Sequence, residues 1–513
     1  MINWWGHKLM IRTLLVNTGS NVLVMFVKLI ITFVMTPVFV HNLGKYDYGL
    51  WEMIGAVIGY MGILDLGLRP AISRFAARHL AEEDETALQS VYMSALVFMA
   101  IVGVLLFVFF FCWGVWFSGG IAPNDEPHQK YTLFLVIIGA YLLISFPGYV
   151  AESYLEGFQK YYLKNNITII NSVFGSVLLY YFITPENGLV LLATINAIGL
   201  TIKYVLFMWI LSRPAYGAIR AQMGTFSFSR LRELIVFGFK SFIQGIATRV
   251  ENATDVLVIG MIMGPAMVPF YSIPANLTQH IRGLGWTLTH AFMPLFSGLS
   301  AKAENETIRT VFLISSRYVV SILFAMGTGA LLLGAPFISI WLGPEFGEKA
   351  KWLILFLVFF TILPFINPFA SRYLTAINKH GIFARLTPLA ALLNIGLSLV
   401  LVHPFGLEGV AFASVVPGLI FVPLYLRYTC RHLDLPVRQY LRASVLPAFV
   451  PAGLMALIIL GLGEYLVYDS YGHILLGAIL GSVGWLAAFW LLVLNREERD
   501  YVGARLTRIA GRN

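Results

Sequence analysis

The chain is poor in charge: of its 513 residues only 12% are Asp, Glu, Lys or Arg, against 58% hydrophobic. A soluble globular enzyme carries roughly a quarter charged residues, so that class is excluded. No polar stretch is long enough to fold as a separate domain. Cysteine is nearly absent as well. Cys112 and Cys430 are the two present, far apart and expected near opposite membrane faces, which argues against a disulfide and against a metal cluster. Also missing are a phosphate-binding glycine loop ending in Lys-Ser or Lys-Thr, an HExxH and a GxSxG, so no hydrolytic or transfer site is expected and the chain is read as a non-enzyme. No small-residue cleavage site follows the first apolar run, which is therefore read as a retained helix. The formal charge of +9 would suit nucleic acid, but the basic residues gather in short loops between apolar segments, where they encode topology instead.

What the chain does have is apolar segments along almost its whole length. About 14 are long enough to span a bilayer, near 13–40, 48–68, 89–117, 131–155, 164–183, 189–212, 234–263, 266–296, 310–334, 351–371, 382–402, 407–429, 441–464 and 473–494. The N-terminus, the loops after even-numbered spans and the C-terminal tail hold 25 of the 35 Lys and Arg. The opposite face holds Lys45, Lys130, Lys349 and Lys351. Both termini are expected to be cytoplasmic. Six cations remain inside spans: Lys28, Lys203, Lys240, Arg249, Arg282 and Arg317. Lys203 and Arg317 lie near span ends and are expected to snorkel; Lys28, near the middle of the first span, has no such escape.

The chain is organised around residues 234–263. Each charge at mid-membrane costs about 2.5–3.5 kcal/mol, yet this span carries Lys240, Arg249, Glu251 and Asp255. At 100° per residue, Lys240, Gln244, Thr248, Glu251, Asn252 and Asp255 fall on one third of the helix, a stripe suited to an internal, water-accessible cavity. A buried ion-pair cluster that clips helices together is the alternative. Asn17, Asn21, Lys28 and Thr32 repeat the spacing of Lys240, Gln244, Glu251 and Asp255, six spans apart. LGKYDYGLW (43–51) aligns with IMGPAMVPFY (262–271), Gly44 opposite Gly264. Six spans per repeat keep both copies in one orientation, which places a pseudo-twofold axis along the membrane normal with a cavity between two lobes.

Asp65 precedes Arg69 by four residues, a spacing that allows an ion pair at the cytoplasmic rim; with Arg74 it is a candidate gate. The eighth span contains Pro265, Pro269, Pro274, Gly283, Gly285 and Pro294. Such breakers free backbone groups that must be satisfied by protein or cavity water. This span is read as either a bending helix at a functional site or a kinked packing helix.

The stretch LGKYDYGLW followed by GYMGILDLGLRPAISRFAAR resembles the polysaccharide biosynthesis (Wzx-type) flippases of the multidrug/oligosaccharidyl-lipid/polysaccharide exporter superfamily. The resemblance is clearest over residues 13–80. It implies an all-α integral membrane protein with two pseudo-symmetric six-helix lobes around a central cavity plus two C-terminal helices. The expected division is 1–212, a cytoplasmic linker 213–233, 234–429, and 430–513 with a basic tail. The implied activity moves polyprenyl-pyrophosphate-linked oligosaccharide across a bacterial inner membrane by alternating access. Membrane lipid and other polysaccharide assembly proteins are the further partners implied, and no nucleic acid. Lys28, Arg249 and Arg282 are then candidates for the pyrophosphate, and Asn17, Asn21, Gln244 and Asn252 for sugar hydroxyls. Glu251, Asp255 and Lys240 either balance charge or carry a coupling H+ or Na+; no other cofactor and no structural metal is expected. An ion-coupled multidrug exporter of the same superfamily is the alternative, and a membrane glycosyltransferase or polymerase a more distant one.

Overall fold

The computed structural model describes residues 4–123, 127–216, 219–290, 292–500 and 504; the side chains of 4–15, 215, 240–241 and 243–252 lie outside that description. Among the described residues there are helices and no strands. Nine helical stretches among the described residues are long and apolar enough to cross a bilayer. Their outward faces are apolar, with Trp116, Leu457 and Leu492 each about two thirds exposed or more, as a lipid-facing surface requires. The protein is a multi-span membrane protein. It divides into two compact units, Met1–Arg249 and Val250–Asn513.

The first unit contains α1 (Trp4–Met61), α2 (Leu68–Ala81), α3 (Glu85–Phe117), α4 (His128–Gly157), α5 (Tyr161–Phe182) and α6 (Gly188–Leu211). It also contains the first part of α7 (Phe228–Ile262). At about 1.5 Å per residue, α1 would be more than twice the bilayer core if straight. It turns sharply at Gly44, whose φ of 69° and ψ of 176° an L side chain rarely adopts. The expected second span, 48–68, is not one helix. It ends at Met61, passes through a 3-10 turn at Gly62–Asp65, and resumes at Leu68 after Leu66 and Gly67, both at positive φ. The Asp65 carboxylate accepts from the Gly67 N–H at 2.7 Å and stabilises this break. Gly67 is needed for a second reason: a Cβ there would stand 2.2 Å from the Gly238 carbonyl oxygen. Phe237 beside it meets Phe75 edge-on at 5.9 Å. This close approach packs the start of α7 into the first unit, so the division falls inside α7 rather than in the linker 213–233. That linker folds back on α3: Ser227 and Ser94 exchange hydrogen bonds, and Gln89 accepts from Arg220 N–H. On the turn before α3, Asp84 accepts from Ala87 N–H, which holds its carboxyl below the usual range.

The second unit continues α7 and adds α8 (Val268–His290), α9 (Phe292–Ala301), α10 (Asn305–Leu342), α11 (Pro344–Ile362), α12 (Ala370–Ala376) and α13 (Gly381–His432). After them come α14 (Val437–Tyr440), α15 (Leu446–Tyr465) and α16 (Tyr471–Ala488). α13 turns sharply at Gly406, φ 58°. Gly264 and Gly343, also at positive φ, join α7 to α8 and α10 to α11. Its core is aromatic: Phe296 and Phe369 are fully buried, and each packs against the buried Phe312 with centroids 6.0–6.1 Å apart. Arg317 on α10 does not snorkel. It pairs with Glu498 beyond α16 and ties the last helix to the unit.

Candidate functional site

Among the described residues, each unit gathers a polar constellation between its helices. In the first unit, α1 presents Asn17, Asn21 and Lys28. Asn17 is buried and its Nδ2 donates to the Gln159 carbonyl at 3.0 Å. Asn21 Oδ1 accepts from Asn165 Nδ2 at 2.7 Å, which also donates to Ser20 Oγ at 2.9 Å. Both asparagines therefore hold α1 to α5 and the turn before it. Lys28 is exposed and lies within electrostatic range of Lys203.

The centre of this constellation is Glu152 on α4, a residue the sequence reading passed over. Arg69, Lys164 and Lys203 stand 3.9, 3.9 and 3.8 Å from its carboxylate, and Tyr204 O–H donates to it at 3.2 Å. Lys164 also pairs with Glu156 at 2.7 Å. Arg69 therefore pairs with Glu152, and the helical spacing that would bring it to Asp65 is lost at the positive-φ residues between them. Lys203 turns inward instead of snorkelling, with its ammonium 4.3 Å from the Tyr204 ring centre. Gly148 makes room for that ring, which lies 2.2 Å from where a Cβ would sit. Arg74, the third expected gate residue, is exposed and lies over Phe237 at 4.2 Å. The signal in the sequence for Glu152 is simple: a carboxylate inside an apolar span is costly, as a cation there is.

In the second unit, Asp255 is 6% exposed. Its carboxylate accepts from Tyr271 O–H at 2.5 Å, Ser414 O–H at 2.7 Å and Ser398 O–H at 3.4 Å. Asn394 donates through Nδ2 to Ser414 Oγ at 2.9 Å, while its Oδ1 is buried with no hydrogen-bond partner among the described residues. The cage draws on α7, α8 and both halves of α13. A buried carboxylate, hydroxyls and an amide oxygen form an oxygen-only donor set suited to a hard cation or a proton. Arg282 on α8 lies 4.4 Å from the Phe360 ring centre. The side chains of Lys240, Gln244, Arg249, Glu251 and Asn252 lie outside the described residues. Among the described residues no group of three or more His, Cys, Asp or Glu is placed to hold a metal.

A family model described as "Polysaccharide biosynthesis protein" matches residues 14–300. A probable low-salt glycan biosynthesis flippase, Agl15, of Haloferax volcanii is 21% identical over 450 residues, 87% of this chain and 89% of its own. A putative O-antigen transporter of Shigella flexneri is 24% identical over 72% of this chain and 87% of its own. Among solved structures, the lipid II flippase MurJ in an inward closed conformation aligns with a TM-score of 0.68 at 15% identity, over 93% of this chain and 98% of that one. An inward-facing multidrug resistance MATE family transporter of the MOP superfamily aligns at 0.64 and 16% identity, over 79% of this chain and 94% of that one. At such identities the structural likeness speaks for the fold alone.

Proposed function

The chain belongs to the polysaccharide biosynthesis protein family, and from that premise we propose that it is a flippase for polyprenyl-pyrophosphate-linked oligosaccharide. It moves the head group from the cytoplasmic to the periplasmic leaflet of a bacterial inner membrane. The observation that carries the reading is the family match across residues 14–300. The fixed charges at membrane depth support it. A pyrophosphate and a sugar chain cannot cross hydrocarbon unaided, while the lipid tail need not leave it. A polar path with fixed cations meets both conditions.

In this reading there are about 14 spans: the nine apolar stretches, two of them counted twice because α1 and α13 turn back at Gly44 and Gly406, with α5, α7 and α8 added. They form two lobes of six related by an axis along the membrane normal, with two helices appended and both termini cytoplasmic. Exchange between inward- and outward-open states carries the substrate across. Lys28, Arg249 and Arg282 contact the pyrophosphate. Gln244, Asn252 and the exposed Asn21 are assigned to the sugars, while the buried Asn17 braces α1 against the turn before α5 instead. Asp65 and Arg74 belong to the cytoplasmic rim, and Arg69, expected with them, turns to Glu152 instead. Asp255 holds the coupling ion, H+ or Na+, with Glu251 and Lys240 balancing charge; the orphaned Asn394 Oδ1 beside Asp255 supports that assignment.

A multidrug exporter is the second reading, favoured by the shared fold. Proteoliposomes holding a fluorescent polyprenyl-pyrophosphate oligosaccharide separate the two. Flipping of that lipid above protein-free vesicles is the expected result. Expulsion of cationic dyes with no flipping would overturn the proposal.

A further inference from the structure

Glu152 is surrounded by cations that do not close on it. A charge-assisted N–H to carboxylate bond shortens to about 2.7–2.9 Å, as Lys164 does with Glu156 at 2.7 Å. The contacts of Arg69, Lys164 and Lys203 with Glu152 stay at 3.8–3.9 Å. The cations are held by other means. The Arg69 guanidinium lies 4.3 Å from the Tyr149 ring centre and the Lys203 ammonium 4.3 Å from that of Tyr204. Tyr149 and Tyr204 meet edge-on at 6.1 Å, so the two supports brace each other. Four helices, α2, α4, α5 and α6, contribute to the cluster. Arg69, Lys164 and Lys203 outnumber Glu152 and Glu156 by one charge, and Lys28 lies within electrostatic range. The group is partly open: Arg69 is 35% exposed and Glu152 14%.

We propose that this cluster is an anion subsite and that Glu152 is its resident counter-anion, displaced by the diphosphate of the substrate. The inference rests on the flippase reading and adds a discrimination to it. The aromatic supports of Arg69 and Lys203 and the Glu156 partner of Lys164 keep the cations in place when the Glu152 carboxylate swings away. A ligand with a single negative charge can only exchange with Glu152 one for one, so it gains little. A diphosphate brings two or more charges to the same cations and gains the difference. Glu152 thereby excludes the phosphodiester of ordinary anionic phospholipids, which surround the protein in excess, and admits the diphosphate-linked carrier.

The test uses full-length protein in neutral detergent and reads acylation of individual lysines by mass spectrometry. Inorganic pyrophosphate is expected to slow modification of Lys164 and Lys203 at concentrations that leave the exposed Lys302 unaffected. Phosphatidylglycerol in mixed micelles should not protect them. In Glu152→Gln, phosphatidylglycerol should begin to protect, and the pyrophosphate concentration for half-protection should fall by roughly tenfold or more, because a like charge about 4 Å away is removed. Absence of pyrophosphate protection in the wild-type protein overturns the subsite, and equal protection by both anions overturns the discrimination. Those two wild-type outcomes decide the matter even if Glu152→Gln does not fold. Flipping without pyrophosphate protection sinks this inference and leaves the transport reading standing; protection without flipping does the reverse.

Discussion

A carboxylate inside a membrane protein survives by what donates to it or pairs with it, and two aspartates here use different means. Asp255 is caged by the hydroxyls of Tyr271, Ser398 and Ser414. Asp255→Asn preserves shape while removing the charge that would hold a coupling ion. Such a variant is expected to insert normally and to lose dependence of transport on an imposed gradient, measured by imposing Na+ and pH gradients separately across proteoliposomes. Gradient dependence that survives the substitution removes Asp255 from coupling. Asp47, 3% exposed, instead pairs with Lys130 at 2.6 Å and accepts from Tyr131 O–H at 3.0 Å. Removing one partner of a buried pair costs about 3–5 kcal/mol, because the other charge is left in place. Lys130→Met should lower the unfolding temperature of the solubilised protein clearly, and adding Asp47→Asn should recover most of the loss. No recovery in the double variant would mean the cost comes from packing. Lys28 is exposed, so Lys28→Ala should leave insertion and thermal stability unchanged while abolishing export; normal export would detach it from the pyrophosphate.

At the scale of the helices, turning glycines do the shaping. The alignment of LGKYDYGLW with IMGPAMVPFY paired Gly44 with Gly264, and both adopt positive φ, 69° and 93°. That much was legible because only glycine enters this conformation freely, so the residue type reports the backbone. The break at Leu66 and Gly67 was not legible. Apolar periodicity runs through it, and what forces it is the backbone of Gly238, about 170 residues away. Gly44→Ala and Gly67→Ala therefore should differ. An alanine at 44 meets nothing within 4 Å and bears the backbone strain alone, about 1–3 kcal/mol for a φ of 69° with ψ of 176°, a region essentially restricted to glycine. At 67, where φ 73° and ψ 17° lie near the left-handed helical region, a strain of about 1–2 kcal/mol is joined by a clash with the Gly238 carbonyl oxygen, 2.2 Å from where the Cβ would sit. Thermal unfolding in detergent should rank wild type above Gly44→Ala above Gly67→Ala. The reverse order would contradict the close approach of α2 and α7.

For the whole molecule, the orientation proposed from Lys and Arg is open to a direct check. In a background without Cys112 and Cys430, single cysteines at the exposed positions Gly120 and Glu348 should react with an impermeant thiol reagent added outside intact cells. One at Gln222, exposed on the linker before α7, should react only after lysis. Reversed labelling would invert the direction of transport along with the topology.

The sequence by itself determined that this protein lives in a membrane, that it is helical, and which residues are out of place there. Those properties follow from summed transfer free energies, which depend on residue type and run length and need no partner. The alignment of Gly44 with Gly264 also paired two residues that both adopt positive φ, whereas the left-handed Leu66 carried no such signal. Which charges meet was decided only by the tertiary structure. Glu152 gathers cations from positions 69, 164 and 203, and Asp255 gathers hydroxyls from positions 271, 398 and 414. An intramembrane charge is flagged by its own cost, but its partner is chosen by helix packing, which joins residues from 16 to 159 positions apart around Asp255 alone and which no local pattern encodes.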